Sequence, residues 1–208
     1  MTVYDELARL GSATVYEAGG RGRFVDLDLV QVMPGSRAAG PARTVRCAQG
    51  DNLMVHAAMA SVQPGEILVL TMPEPAPFAL YGGLLATQAR ARGVAGVLVD
   101  ASVRDVEELA ALGPPAWAHW VRIQGAVKER AGALDVPVEV GGALIEPGDA
   151  VILDADGVAV VGAARVHEVL DAAREREERE RVKAERLAGG ALSYDLDGLR
   201  AKVEGAVS

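Results

Sequence analysis

Two short apolar segments separated by one helical segment lie near the middle of the chain. Residues 66–70 and 94–99 are rich in Ile, Leu and Val, and a proline-rich loop over 72–79 precedes the helical segment at about 82–92. A strand, a helix and a second strand in this order form a βαβ unit, whose crossover is right-handed and whose strands are parallel. The chain is therefore expected to fold as an α/β protein.

Further elements are predicted on both sides of this unit. The helices are expected over 2–10, from a capping box at Thr14 to Gly19, from Asp51 to about Val62, and from near Ser102 to Gly113. The strands are expected over 43–48, 136–140, 143–146, 150–153 and 157–161. The last four strands are short and are separated by tight turns, which is typical of an antiparallel or mixed sheet closing the domain.

The C-terminal segment differs in character from the rest of the chain. Val166, Val169, Leu170 and Ala173 form a helical apolar stripe, and residues 174–181 are eight charged residues in succession. Pairs four residues apart in this run support a solvated helix. We therefore divide the chain into an α/β core over 1–165 and a helix with a tail over 166–208, and we expect the second part to pack on a neighbouring subunit.

The charge balance excludes several classes of function. Lys and Arg number 21 against 29 Asp and Glu, a net charge of −8, which disfavours binding to nucleic acid or to an anionic membrane. The lone Cys47 excludes an internal disulfide and a thiolate metal cluster. The longest uncharged and mostly apolar run, 75–86, is too short to span a bilayer, and no secretory signal opens the sequence. A cytoplasmic protein is expected.

The βαβ unit places a candidate site at the carboxyl ends of its strands. Gly82 and Gly83 stand where the crossover helix begins, and its free N–H groups favour an anion there. Arg104 and Asp105 follow the second strand, at the same edge of the sheet. We expect the two pairs to meet in one crevice, where Arg104 faces an anionic ligand and Asp105 can hold a hydrated Mg²⁺.

Structural interpretations compete with this site. The Gly-Gly pair is also typical of a turn, and Ser102 with Asp105 matches a capping box. Arg104 resists such an interpretation, because a cation in the first turn of a helix opposes the helix dipole.

Other candidate residues favour structural roles. His56 is expected to pack in the core, and together with His119 and His167 it lacks zinc-ligand spacing. The serines lack the sequence context of a nucleophile elbow. The turn at Asp51 either caps the following helix or lines the crevice, and capping is favoured.

A set of motifs in a fixed order identifies a resemblance to a family. These are Gly50-Asp-Asn-Leu with Val55-His56, Pro64-Gly-Glu, Gly82-Gly-Leu-Leu-Ala86, Gly93-Val-Ala-Gly-Val-Leu-Val-Asp100, Val103-Arg-Asp105, Val136-Pro-Val, Gly141-Gly, Pro147-Gly-Asp149 and Asp154-Ala-Asp-Gly-Val158. Over about 12–200 the chain resembles the RraA-like family. That family includes the class II 4-hydroxy-4-methyl-2-oxoglutarate/4-carboxy-4-hydroxy-2-oxoadipate aldolases and the regulator of ribonuclease E activity.

The resemblance implies a fold, an assembly and a set of site residues. The fold would be a layered α/β/β sandwich of the phosphohistidine-swivelling-domain type with an extended C-terminal helix, assembled as a homotrimer or hexamer with sites between subunits. Arg104 would contact a pyruvyl substrate, Asp105 would anchor Mg²⁺ or Mn²⁺, and Glu180 from the neighbouring subunit would complete the site. The backbone amides of Gly82, Gly83, Leu84 and Leu85 would bind the substrate carboxylate.

The chain departs from the aldolase pattern in two places, since Gly83 replaces an acid of the family's turn and Ala101-Ser102 stands where a glycine is expected. The expected activity is a metal-dependent lyase that cleaves 4-hydroxy-2-oxo acids or decarboxylates oxaloacetate through a pyruvate enolate. The proton of the 4-hydroxyl would pass to Glu180 or to a water of the metal. The alternative is a non-enzymatic regulator of ribonuclease E that acts by protein contact.

Overall fold

The computed structural model describes residues 1–205, so the last three residues of the predicted tail lie outside the described chain. The helices of the described chain are α1 (Val3–Leu10), α2 (Ser12–Ala18), α3 (Leu53–Ala58), α4 (Gly83–Ala91), α5 (Val106–Leu112), α6 (Val166–Ala188), α7 (Ser193–Leu196) and α8 (Leu199–Glu204). The strands are β1 (Arg23–Phe24), β2 (Val30–Gln31), β3 (Ala38–Arg46), β4 (Ile67–Thr71), β5 (Ala79–Tyr81), β6 (Gly96–Val103), β7 (Ala116–Val121), β8 (Ala133–Leu134), β9 (Val138–Val140), β10 (Ala143–Ile145), β11 (Ala150–Leu153) and β12 (Val158–Val161).

One large mixed sheet forms the centre of the molecule. Its strands follow the order β1-β12-β11-β3-β4-β6-β7-β2, with β5 paired to β6 and β8 paired to β3. β3, β4, β6 and β7 run parallel, whereas β11 and β12 are antiparallel to their neighbours. β4 and β6 pair from Ile67↔Gly96 to Leu70↔Val99, with α4 between them in the chain, so the predicted βαβ unit is confirmed.

The core is layered on this sheet. A first apolar cluster fills the space beneath α3, α4 and α5, and a second lies between the sheet and the β9–β10 hairpin. A third cluster packs α1, α2 and the start of α6 against β11 and β12. All eight residues of β6 are buried, as are all five of β4, which is typical of strands covered on both faces. The predicted layered α/β architecture is confirmed.

Several predicted boundaries are wrong for tertiary reasons. β6 continues through Val103 because its end pairs with β5 and β7, so buried Ser102 lies inside a strand and caps no helix. The following helix begins only at Val106, with Asp105 as its N-cap residue. The capping box predicted at Thr14 is also wrong, since α2 begins at Ser12 after Gly11.

The predicted C-terminal helix is present as α6, a helix of 23 residues. Its apolar stripe, Val166, Val169, Leu170 and Ala173, packs on α1 and α2 of the same chain. From residue 174 onward the side chains are mostly exposed, and packing of this part on a neighbouring subunit stays a prediction. None of the helices within residues 1–205 combines the length and the apolar character that a bilayer-crossing segment needs.

Candidate functional site

A cleft of about 220 Å³ opens where β5 and β6 end and α4 begins. It is lined by Asn52, His56, Ala79, Tyr81, Gly82, Gly83, Leu84, Leu85, Arg104, Asp105, Glu108, Ala126 and Lys128. The fold therefore brings together six of the seven residues predicted for the site, at the carboxyl ends of parallel strands. Glu180 does not line this cleft. It lies on α6, where it pairs with Arg176 at 2.7 Å, so its role across a subunit boundary stays a prediction.

Asp105 occupies a left-handed backbone conformation, with φ 57° and ψ 44°. Such a conformation is unfavourable for most residues that carry a Cβ, although Asp tolerates it better than most, and it is frequent at functional sites. The Asp105 Oδ2 atom accepts a hydrogen bond of 3.2 Å from the Gly83 N–H at the start of α4. The same oxygen lies 3.5 Å from Arg104 Nε. The carboxylate therefore faces the start of α4 and retains capacity for a further ligand.

Two glycines give Arg104 and Asp105 the room to occupy this position. A Cβ on Gly82 would lie 2.8 Å from Asp105 Oδ2 and 3.1 Å from Arg104 Cγ. A Cβ on Gly125 would lie 2.7 Å from Arg104 Nη1. A side chain at Gly82 would displace both residues, and one at Gly125 would displace the end of the Arg104 side chain. Gly82 therefore serves a close approach of Arg104 and Asp105 and does more than form a turn.

Gly83 leaves space for a carboxylate that the sequence did not point to. A Cβ built on Gly83 would overlap Glu108 Oε2 and would lie 3.2 Å from Glu108 Cδ. Glu108 is in the first turn of α5, three residues after Asp105, so both acids reach the start of α4. The three-residue spacing was visible in the sequence, but the approach of α5 to α4 was not.

The cleft is also lined by the basic side chain of Lys128 and by polar residues with unpaired atoms. His56 lines it and is exposed, so the prediction of a packed core histidine is wrong: α3 turns this residue outward. Loss of water around its ring and the nearby charge of Lys128 hold the pKa of His56 below its ordinary value. The Tyr81 hydroxyl and Asn52 Oδ1 are buried without a hydrogen-bond partner among the described residues. Burial also raises the pKa of Tyr81.

Asp51 has the structural role that the sequence favoured. Its Oδ1 accepts the Leu53 N–H at 2.8 Å, and its Oδ2 accepts the N–H groups of Glu129 and Arg130, each at 2.8 Å. Burial opposes ionisation, but these backbone donors outweigh it and hold the pKa of Asp51 below its usual range. Asp51 thus fixes the loop that carries Lys128 into the cleft, while its neighbour Asn52 lines the cleft.

Leu84 and Leu85 lie on opposite sides of the first turn of α4. The Leu84 side chain is 88% exposed at the mouth of the cleft, whereas Leu85 is buried in the first apolar cluster. The N–H groups of a first helical turn have no acceptor within their helix; that of Gly83 donates to Asp105, and those of Leu84 and Leu85 are left as anion donors at the cleft. This geometry fits a carboxylate better than a bulky apolar ligand.

The donor set of the cleft fits one kind of metal ion. Among residues 1–205, no group of three or more His, Cys, Asp or Glu side chains is arranged to hold a metal. This arrangement disfavours Zn²⁺, which takes three or four protein ligands. Mg²⁺ retains several waters and binds through one or two carboxylates. The half-exposed Asp105 therefore fits a hydrated Mg²⁺ or a similar divalent ion.

Comparison with known proteins identifies the family of the chain. A model of the RraA-like family, described as Aldolase/RraA, matches residues 2–160. A protein of Halalkalibacterium halodurans named "Putative 4-hydroxy-4-methyl-2-oxoglutarate aldolase" is 34% identical over 168 residues, which cover 81% of this chain and 78% of that protein.

Solved structures are similar over most of the chain. Streptomyces coelicolor RraAS2, described as an unusual member of the RNase ES inhibitor RraA protein family, is 30% identical with a TM-score of 0.76, and the match covers 88% of this chain and 97% of that one. The RNA-processing inhibitor RraA from Thermus thermophilus is 29% identical with a TM-score of 0.67, over 72% of this chain and 91% of that one. Together with the family model, these similarities establish that the chain belongs to the RraA-like family.

Proposed function

We propose that the protein is a divalent-metal-dependent carbon–carbon lyase that acts on small 2-oxo acids. Its substrates would be 4-hydroxy-2-oxo acids or oxaloacetate, which both break at the C3–C4 bond and leave a pyruvate enolate. One observation carries this proposal: Arg104 and the left-handed Asp105 meet the start of α4 in one cleft. The similarity to a protein named as an aldolase supports it.

The start of α4 would bind the substrate carboxylate. The N–H groups of Leu84 and Leu85 and the positive end of the helix dipole favour an anion there, whereas the Gly83 N–H already donates to Asp105. Lys128, which also lines the cleft, adds a positive charge. A carboxylate held in this way fixes the orientation of the adjacent carbonyl, so that the breaking C3–C4 bond can align with it.

Arg104 would stabilise the charge that develops during cleavage. When the C3–C4 bond breaks, its electron pair moves into the C2–C3 bond and the carbonyl oxygen becomes an enolate oxygen. The Arg104 guanidinium would donate hydrogen bonds to this oxygen. Asp105 would hold the divalent ion, and the bound ion supplies Lewis-acid polarisation of the same oxygen. Fixed charges in the cleft thus lower the barrier without moving during the reaction.

The proton balance requires a base for hydroxy acids and none for oxaloacetate. In the aldol substrate the 4-hydroxyl loses its proton as the second carbonyl forms, and Glu180 of the partner subunit is the proposed acceptor. Oxaloacetate instead releases CO₂. In both reactions C3 of the enolate then takes a proton to give pyruvate.

The assay is pyruvate release from 4-hydroxy-4-methyl-2-oxoglutarate and from oxaloacetate, with Mg²⁺ or Mn²⁺. Activity should disappear with a chelator and return when the metal is restored. Arg104→Lys should lower kcat/KM about 100-fold, since the ammonium lacks the planar donor pair of arginine. Activity that survives the chelator would refute the proposal.

The participation of Glu180 requires an assembly with sites between subunits. Two exposed apolar residues flank the cleft, Leu84 and Ile123, the latter 95% exposed, and such residues favour an interface. We expect a homotrimer or hexamer by light scattering. Glu180→Gln should slow the aldol reaction about 100-fold while the matched control Glu178→Gln on the same helix does not. Equal rates for the two variants would remove Glu180 from the mechanism.

A second candidate function is inhibition of an RNA-degrading enzyme by protein contact. The observation that favours it is the description of both similar structures as RNase or RNA-processing inhibitors. Capture of purified ribonuclease E by the protein, with loss of its cleavage rate and no pyruvate release from either substrate, would support this candidate over the lyase.

A further inference from the structure

The Glu108 carboxylate occupies the space above Gly83. A side chain at position 83 would begin where Glu108 Oε2 lies, and Glu108 Cβ is also only 3.5 Å from that point. The backbone N–H of the same glycine donates to Asp105 Oδ2 at 3.2 Å. Two carboxylates from one turn of α5 therefore converge on the first residue of α4.

No structural partner explains the position of Glu108. Its carboxylate forms no hydrogen bond or ion pair within residues 1–205, although it reaches back toward another helix. Glu107 in the same turn is also unpaired within residues 1–205, but only Glu108 lines the cleft. The exposed carboxylate of Glu108 is therefore available to a ligand that the cleft binds.

An independent feature of the cleft also points to a ligand. Tyr81 is 1% exposed and Asn52 is 7% exposed, and both line the cleft that Glu108 enters. The Tyr81 hydroxyl and Asn52 Oδ1 are buried and have no hydrogen-bond partner among the described residues. Because buried polar groups are usually satisfied, these atoms indicate a polar occupant of the cleft.

We propose that Glu108 is a positioning residue for the divalent ion held by Asp105. Its carboxylate accepts hydrogen bonds from the waters of that ion, and it does so from the space that Gly83 leaves open. Mg²⁺ and Mn²⁺ keep several waters, and partners of such waters tune metal affinity. The inference rests on the proposed function, since it assumes that Asp105 binds the ion.

The test is Mn²⁺ binding to the full-length protein without substrate, measured by titration calorimetry and by the EPR signal of free Mn²⁺. Glu108→Gln should raise the Kd for Mn²⁺ about tenfold, as is typical when an outer partner of a metal is lost. Glu107→Gln is the matched control, because Glu107 is an exposed acid of the same turn that does not line the cleft. It should change the Kd less than about twofold.

A side-chain exchange makes the test sharper. Glu108→Ala alone should raise the Kd for Mn²⁺ about tenfold, as Glu108→Gln does. In the double variant Gly83→Asp with Glu108→Ala, the aspartate occupies the space vacated by Glu108, and the Kd should return to within about threefold of wild type. Failure of this rescue, with folded protein by circular dichroism, would overturn the proposal.

Failure of the inference can be distinguished from failure of the proposed function. If wild type binds Mn²⁺, Asp105→Asn abolishes the binding and Glu108→Gln equals Glu107→Gln, then only the role of Glu108 is refuted. If wild type binds no Mn²⁺ and releases no pyruvate, the metal-dependent lyase is refuted and the role of Glu108 with it.

Discussion

Two aspartates flank the same cleft, and their surroundings differ completely. Asp51 is fully buried, and its carboxylate accepts three backbone N–H groups, each at 2.8 Å. The Asp105 side chain is 42% exposed, accepts one N–H at 3.2 Å, and sits on a left-handed backbone. A carboxylate whose hydrogen-bonding capacity is used by the fold stabilises the fold. A carboxylate that is held in an unfavourable backbone conformation, and whose oxygens can still accept hydrogen bonds, is available to bind a ligand.

The largest expected effect is on activity, at Asp105. Asp105→Asn keeps a side chain that tolerates the left-handed backbone but removes the charge that would hold the metal. We expect kcat/KM for pyruvate release to fall at least about 1,000-fold, since metal polarisation supplies several kcal/mol. Added Mn²⁺ should raise the Tm of the wild type but not that of Asp105→Asn. Without metal, the two proteins should have similar Tm values.

An Asp105→Asn variant that kept both its activity and its metal response would contradict the comparison. It would mean that the strained aspartate has a structural role like that of Asp51.

The second effect is on stability, at Asp51. Asp51→Asn turns one acceptor oxygen into a donor that faces backbone N–H groups, so buried donors lose their partner. We expect the free energy of unfolding to fall by about 2 kcal/mol, measured by urea denaturation. Glu129→Gln is a matched control in the same loop, because its backbone N–H bonds Asp51 while its side chain is exposed. An unchanged midpoint for Asp51→Asn would show that this carboxylate is not structural.

The smallest expected effect is the pH dependence of the contribution that Asp51 makes to the free energy of unfolding. The pKa of Asp51 is lower in the folded protein than in the unfolded chain, so its stabilisation is present above the unfolded value of about 4. It is lost as the pH falls through the folded value. Between about pH 5 and pH 3, wild type should therefore lose more unfolding free energy than Asp51→Asn does. Parallel curves for the two proteins would contradict this assignment.

Local patterns in the sequence were sufficient to predict the βαβ unit and the meeting of Gly82 and Gly83 with Arg104 and Asp105 in one cleft. The apolar strands and the motifs at Gly82 and Arg104 lie close together in the chain, and the parallel pairing of β4 and β6 brings their ends to one edge. The end of β6 could not be predicted, because Ser102 is held in the strand by pairing with Ala79 of the three-residue β5 and with Trp120 of β7, and local periodicity does not encode such pairing.

Glu108 and His56 show why the rest of the site needed the structure. The position of the Glu108 carboxylate depends on how α5 packs against α4, and periodicity does not encode that packing. His56 stands in an apolar helix, so only the turn of α3 toward the cleft reveals its exposure. The positions of both side chains depend on how helices pack on one another, and the local sequence carries little information about that packing.

The burial of β6 also has a consequence for how such a protein can diversify. All eight residues of β6 are buried, so Arg104 and Asp105 follow directly from a strand that is fixed on both faces. Leu84 and Ile123 are exposed beside the cleft in the single chain, and we propose them as parts of a subunit interface. Under the proposed lyase function, substitutions at that rim would alter which leaving half of a substrate is accepted, while buried β6 keeps Arg104 and Asp105 aligned.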